Sequence, residues 1–93
     1  MIITFADSRT EAVWLREPTK RFSPELQRLA HRKLLMLDAA NYLHDLKIPP
    51  GNRLEALVGD RVGQHSIRVN DQWRICFFWT PAGAEQVEIV DYH

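Results

Sequence analysis

The sequence predicts an α+β fold, with an N-terminal strand and two to three helices packed on one face of an antiparallel sheet. Three observations carry this. Apolar residues in the first half recur at helical spacing behind clear cap signals. In the second half the period changes to strict alternation. The alternating runs are separated by short turn segments rich in Gly, Asn and Pro, which suit hairpins rather than crossovers. At 93 residues, the chain is expected to form a single domain over 1–93 with one modest core.

The elements follow in order. Ile2-Ile3-Thr4-Phe5 is short and β-branched or aromatic, the composition of an edge strand. Ser8-Arg9-Thr10-Glu11 reads as a capping box opening a helix that includes Ala12, Val13 and Leu15. Glu17-Pro18-Thr19 breaks that helix. Ser23-Pro24 supplies a cap and a first-turn proline to a second helix. Within it Leu26, Leu29, Ala30, Leu34 and Leu37 share a face, and Arg28, Arg32 and Lys33 point away. It should end near Ala40, with one more turn over 41–46 before Pro49-Pro50-Gly51. Residues 53–58, 65–69, 73–79 and 87–90 then read as strands, with turns at 59–63, 70–72 and 80–83.

Composition is that of an ordinary globular protein. No apolar run approaches the roughly 20 residues that span a bilayer. The first residues lack the basic and apolar regions of a signal peptide. Cys76 is the only cysteine and lies inside a strand, so a buried thiol is expected, in a cytoplasmic protein. The net charge is zero, which argues against strong electrostatic binding to free nucleic acid. Charge is nonetheless uneven. Arg16, Lys20, Arg21, Arg28, Arg32 and Lys33 outnumber Glu17 and Glu25, while 79–93 holds three acids and no Lys or Arg. A basic face is possible without a basic protein, and a solvated helix exterior explains the run equally well.

The meander fixes a register. Ile67 and Val69 share a face, as do Trp73, Ile75, Phe77 and Trp79, and both faces should be buried. Opposed residues in an antiparallel pair lie on one face. A three-residue loop at Asn70-Asp71-Gln72 satisfies this by setting Val69 opposite Trp73 and Ile67 opposite Ile75. A two-residue loop would bury the wrong set. The favoured register puts Arg68 opposite Arg74 on the uncovered face. Facing arginines repel, so something negative should lie between them. Glu88 is one candidate, and a phosphate held by planar guanidinium groups is another. The same parity brings Glu88, Val90 and Tyr92 to this face, with Tyr92 near Arg74. Strict alternation sends Asp91 and His93 to the other side, unless the terminus turns His93 back.

The chain ends on Asp91-Tyr92-His93: a carboxylate, a phenol and an imidazole behind a strand that should hold them. Such groups can carry acid–base or phosphate chemistry. No metal site is expected, because the histidines and the cysteine lack ligand spacing. His31 and His44 read as helix-surface residues and His65 as a residue at the core edge. Trp14, Trp73 and Trp79 read as core.

The run His65-Ser66-Ile67-Arg68-Val69-Asn70-Asp71-Gln72-Trp73-Arg74-Ile75-Cys76-Phe77, the block Leu57-Val58-Gly59-Asp60-Arg61-Val62-Gly63 and the end Val87-Glu88-Ile89-Val90-Asp91-Tyr92-His93 resemble the HigB toxins of the RelE superfamily. The resemblance covers most of 54–93; the helical half agrees in order and length. It implies a RelE-like fold and the toxin of a type II toxin–antitoxin system. Such a toxin enters the ribosomal A site and cleaves messenger RNA there. It is neutralised by a HigA-type helix-turn-helix antitoxin, through which alone it reaches operator DNA. It implies no cofactor and no membrane partner. Carried over by position, Arg74 stabilises the scissile phosphate, and Asp91, Tyr92 and His93 form the C-terminal part of the catalytic constellation. Arg68 is added from the register, and with such a substrate the loop residues Asn52, Arg53 and Arg61 are candidate RNA contacts. Val58 stands where well-known relatives have lysine, and Glu55 where some have histidine, so part of the family's positive charge is missing.

RNA cleavage fits these residue types. A 2′-OH loses a proton and attacks the adjacent phosphorus, and cations offset the developing charge. His93 has a suitable intrinsic pKa, Asp91 can accept a proton or orient it, and Tyr92 can stack or donate. Two other functions compete. One is a catalytically weak relative that mainly binds its antitoxin and tunes transcription, which the Val58 departure motivates. The other is a metal-free nuclease acting on free RNA, which the neutral charge disfavours.

Overall fold

A computed structural model describes residues 1–92; His93 lies outside the described residues. The chain runs α1 (Ser8–Leu15), α2 (Pro24–Ala39), three short 3-10 turns at Leu43–Lys47, Pro50–Asn52 and Gly59–Arg61, and strands β1 (Glu55–Ala56), β2 (His65–Arg68), β3 (Trp73–Thr80) and β4 (Gly83–Asp91). The strands form an antiparallel sheet in the order β1-β2-β3-β4. The α+β architecture is therefore the one expected.

Helix α2 forms where its signals lie. Ser23 Oγ accepts from Leu26 N at 3.1 Å, and Pro24 takes the first turn. Its Leu26, Ala30, Leu34 and Leu37 are buried, joining Ile67, Ile75, Phe77, Val87 and Ile89 of the sheet in one core. Each large aliphatic side chain so buried contributes about 1.5–3 kcal/mol. Trp14, Trp73 and Trp79 pack against that core, as expected. Helix α1 starts one residue earlier than its capping-box pattern suggested. Asp7, not Ser8, is the cap, and its Oδ1 accepts from Thr10 N at 2.8 Å.

The N-terminal segment is less regular than a strand. It runs parallel to β4 through two isolated bridges, Ile2 to Ala84 and Phe5 to Val87. It still covers that edge: Ala84 N donates to Met1 O, Val87 N to Thr4 O, and Ile3 N and Ala6 N donate back. Farther along, Ile89 N donates to the buried hydroxyl of Thr10 in α1 at 3.0 Å. Backbone donors on the outer edge of β4 thus find partners from both the leading segment and α1, which blunts the edge.

The β2–β3 register is the predicted one, with Ile67 opposite Ile75 and Arg68 opposite Arg74. Val69 N donates to Trp73 O at 2.9 Å, closing the three-residue loop. Two features differ from the sequence reading. The strand expected over 53–58 pairs only at Glu55 and Ala56, because Arg53 is left-handed and Gly59–Arg61 turns into a 3-10 helix. A register shift separates Cys76 from Phe78 on β3, with Gln86 at φ 53° on β4. This bulge lets β4 begin at Gly83 while Val87 and Ile89 still face the core.

Candidate active site on the outer sheet face

The helices cover one face of the sheet, and the site is built on the other. Alternation along β2, β3 and β4 places Ser66 and Arg68, Arg74 and Cys76, and Glu88 and Val90 on this outer face, with Arg74 opposite Val90 and Cys76 opposite Glu88. β1 adds Glu55, directly opposite Ser66.

Arg74 is the centre of the arrangement. It is only 8% exposed although no helix covers it. Its Nε donates to Ser66 Oγ at 2.7 Å, and its Nη2 donates to the carbonyl of Arg53 at 2.7 Å and to that of Ser66 at 3.3 Å. The left-handed backbone of Arg53 (φ 47°) sits at the end of the Pro50–Asn52 turn and turns its carbonyl to this contact. One edge of the guanidinium fork is thus spent on the protein. The Nη1 end has no hydrogen-bond partner among the described residues and is not sealed from solvent. The guanidinium is thus locked in place with its Nη1 end directed away from these anchors.

Tyr92 covers the guanidinium plane, with Arg74 Cζ 5.1 Å from its ring centroid. The chain end is held for this: Tyr92 N donates to Gln72 O at 2.7 Å. The Tyr92 hydroxyl donates to Glu55 Oε1 at 3.0 Å. That hydrogen bond, more than the neighbouring charge, raises the phenol above its usual pKa. Sequence reasoning did not single out Ser66, and it noted Glu55 only as a departure from the family's basic residues. The parity of β2 already marked Ser66 as outward; β1 is too short to carry a pattern.

The remaining candidates are distributed differently. Arg68 does face Arg74 across the ladder, but its charge is answered by an ion pair with Asp71 in the hairpin loop. Glu88, considered as a neutraliser of the arginine pair, instead binds Arg61 at 3.2 Å. Arg61 also donates to Gln64 at 3.0 Å and is half-buried. Asp91 lies opposite Trp73, on the parity of the core-facing set, and its Oδ2 accepts from Gln72 at 3.0 Å. Asn52 is a correction. It is fully buried, accepting from Lys33 Nζ at 2.6 Å and donating to Leu46 O at 3.2 Å, so it braces the 42–52 segment and has no surface to offer RNA. Arg53 is exposed, and its backbone rather than its side chain serves the site. Val58 is exposed and brings no charge. Cys76 is buried, and burial pushes its thiol pKa up. His65 is half-buried and stacks on Phe77 with centroids 6.5 Å apart, at the core edge as expected. The His93 assignment lies outside the described residues.

Two helices packed on one face of a four-stranded antiparallel meander make an α+β fold consistent with the RelE-like toxins. The whole chain agrees. Residues 3–93 match the family described as RelE-like toxin of type II toxin-antitoxin system HigB. Toxin HigB-1 of Vibrio cholerae serotype O1 is 42% identical over 80 residues, covering 85% of this chain and 84% of that protein. An uncharacterized protein of Haemophilus influenzae is 40% identical over 52 residues, 56% of this chain and 52% of that one. The chain belongs to the HigB-like family of type II toxin–antitoxin toxins, and membership implies an antitoxin partner. Among the described residues, no helix is long and apolar enough to cross a membrane. No group of three or more His, Cys, Asp or Glu among them is placed to hold a metal ion.

Proposed function

We propose that this toxin is a ribosome-dependent messenger RNA endoribonuclease acting in the cytoplasm, and that a HigA-type helix-turn-helix antitoxin restrains it. The observation that carries this is the immobilised Arg74 guanidinium, anchored through Nε and Nη2 with Nη1 left to an outside acceptor. Such a preorganised cation stabilises charge that develops in a transition state without reorganising as it forms.

In this reading the message lies across the outer face with its scissile phosphate on Arg74. The ribose 2′-OH attacks the neighbouring phosphorus, and Arg74 offsets the negative charge gathering on the non-bridging oxygens. Tyr92 orients the RNA, through its ring or its hydroxyl. His93 hands a proton to the departing 5′-oxygen, and Asp91 supports the tip. No metal enters any of these steps. Arg68, already paired, and the exposed Arg53 side chain supply outlying backbone contacts, and Arg61 contributes where Glu88 leaves it charge to spare. Zero net charge suits a protein that is guided to its message by the ribosome rather than by free RNA.

The test is brief induction in cells without the antitoxin, with mapping of new message ends. Cleavage on translating ribosomes and slow cleavage of naked RNA are expected. Arg74→Ala should lower the cleavage rate by about 10²–10³-fold, the scale for loss of one preorganised donor. A folded Arg74→Ala protein that stays fully toxic overturns the phosphate role. Antitoxin binding with no message cleavage by the intact chain would instead favour a binding module that tunes transcription.

A further inference from the structure

The outer face holds one carboxylate that the scheme above leaves unused. Three of the acids near the site are committed elsewhere: Asp71 to Arg68, Glu88 to Arg61, and Asp91 to Gln72. Glu55 is different. It is exposed, and it accepts from the hydroxyl of Tyr92, the residue whose ring lies on Arg74. It also sits opposite Ser66, the hydroxyl that anchors Arg74 Nε at 2.7 Å. Two separate paths, one through the sheet and one through the C-terminal tip, therefore tie this carboxylate to the anion-binding arginine. A carboxylate beside a phosphate site repels the substrate, so its presence calls for a use that outweighs that cost. An oxygen acceptor next to a bound ribose phosphate has one: removing the 2′-OH proton.

We infer that Glu55 is a catalytic residue of this toxin, the general base that takes the 2′-hydroxyl proton while Arg74 holds the scissile phosphate. This rests on the endoribonuclease reading above. Tyr92 holds the carboxylate in position before RNA binds and yields the acceptor oxygen to the ribose when RNA arrives. Glu55 Oε1 takes the 2′-OH proton as the 2′-oxygen forms its bond to phosphorus. The P–O5′ bond breaks, and the 5′-oxygen takes the proton assigned above to His93. The products are a 2′,3′-cyclic phosphate and a 5′-hydroxyl, and Glu55 and His93 restore their protonation states with water. The phenol is poorly suited to the base role, since its hydrogen bond to Glu55 stabilises the protonated form.

Two substitutions separate a base from a mere support for Tyr92. Glu55→Gln keeps an oxygen that accepts from the Tyr92 hydroxyl but cannot take a proton. Tyr92→Phe keeps the ring over Arg74 but removes the hydrogen bond. Single-turnover message cleavage would be measured on programmed ribosomes for the wild-type chain and both variants, with antitoxin binding and circular dichroism as folding controls. Glu55→Gln should slow cleavage by about 10²–10⁴-fold, the usual worth of acid–base help, while ribosome binding is unchanged. Tyr92→Phe should lose less. Wild-type-like cleavage by Glu55→Gln overturns the base assignment, as does an equal loss in the two variants. If the wild-type chain cleaves no message, it is the endoribonuclease reading that fails.

Discussion

At the scale of single residues, the site depends on how a buried arginine is satisfied. Arg74 is nine-tenths covered, and its Nε and Nη2 protons go to Ser66 and Arg53. A hydrogen bond to a charged group contributes about 1.5–3 kcal/mol, and here it also fixes direction. Ser66→Ala should therefore leave the chain folded and able to bind its antitoxin. On the proposed function, cleavage by this variant should fall about ten- to a hundredfold, in kcat rather than KM, because a loosened guanidinium can still meet a phosphate but no longer waits in position. An unchanged kcat would show that the Arg53 and Ser66 carbonyls suffice. The facing of Arg68 and Arg74, and the approach of Tyr92, were legible from alternation alone. The ends of the side chains were not. Parity locates Cβ atoms, so it could not show that Asp71, in the loop, reaches back to Arg68, or that Arg61 takes Glu88. Asn52 was misread for a related reason. A polar residue after Pro-Gly looks like an exposed loop tip, and only the tertiary contacts of Lys33 and Leu46 show it to be an internal brace.

At the scale of elements, the seam between the leading segment and β4 governs whether the sheet keeps a closed edge. Gly83 starts β4 at φ 140°, and a Cβ built there would lie 2.2 Å from the carbonyl oxygen of Met1. Both the backbone conformation and the close approach require glycine. Gly83→Ala should cost about 1–3 kcal/mol in urea unfolding. It should also speed hydrogen exchange at Ala84 N, which donates to Met1 O. A variant with normal exchange at that amide would show that the segment is held mainly by side chains. The cap of α1 offers a sharper contrast. Asp7→Ala should lose about 1 kcal/mol and Ser8→Ala very little, because Asp7 makes the capping bond. Both residues have cap chemistry, so the sequence placed the helix but not its first residue. Helix α2 was legible to within a residue, since serine and proline mark its start and leucines its face. The shift on β3 and the shortness of β1 were not legible, because neither a bulge at Gln86 nor a left-handed Arg53 has a glycine to announce it.

At the scale of the whole molecule, the two layers divide the work. The outer sheet face carries the candidate site, and the helical layer carries the excess of positive charge noted in 16–33. That charge has a measurable consequence where the helices meet. The left-handed cap residue Arg16 brings its guanidinium onto His31, with Nε 3.3 Å from Nε2 and Nη2 3.2 Å from Nδ1, while Trp14 stacks on the same imidazole at 5.9 Å. Burial first, and the charge of Arg16 second, disfavour the imidazolium, so the folded pKa of His31 lies below its ordinary 6.5. As pH falls through 6.5 the unfolded chain therefore takes up this proton before the folded one does. Stability contributed by neutral His31 is present above that pH, declines through the window, and levels off below the folded pKa. Urea midpoints should fall as pH is lowered from about 7.5 to about 5.5, and His31→Gln should remove part of that slope. The two chains differ at this one side chain, so the difference between the two curves isolates the α1–α2 contact. Identical slopes would mean that His31 protonates as easily in the folded chain as in the unfolded one, and that Arg16 approaches it without electrostatic cost.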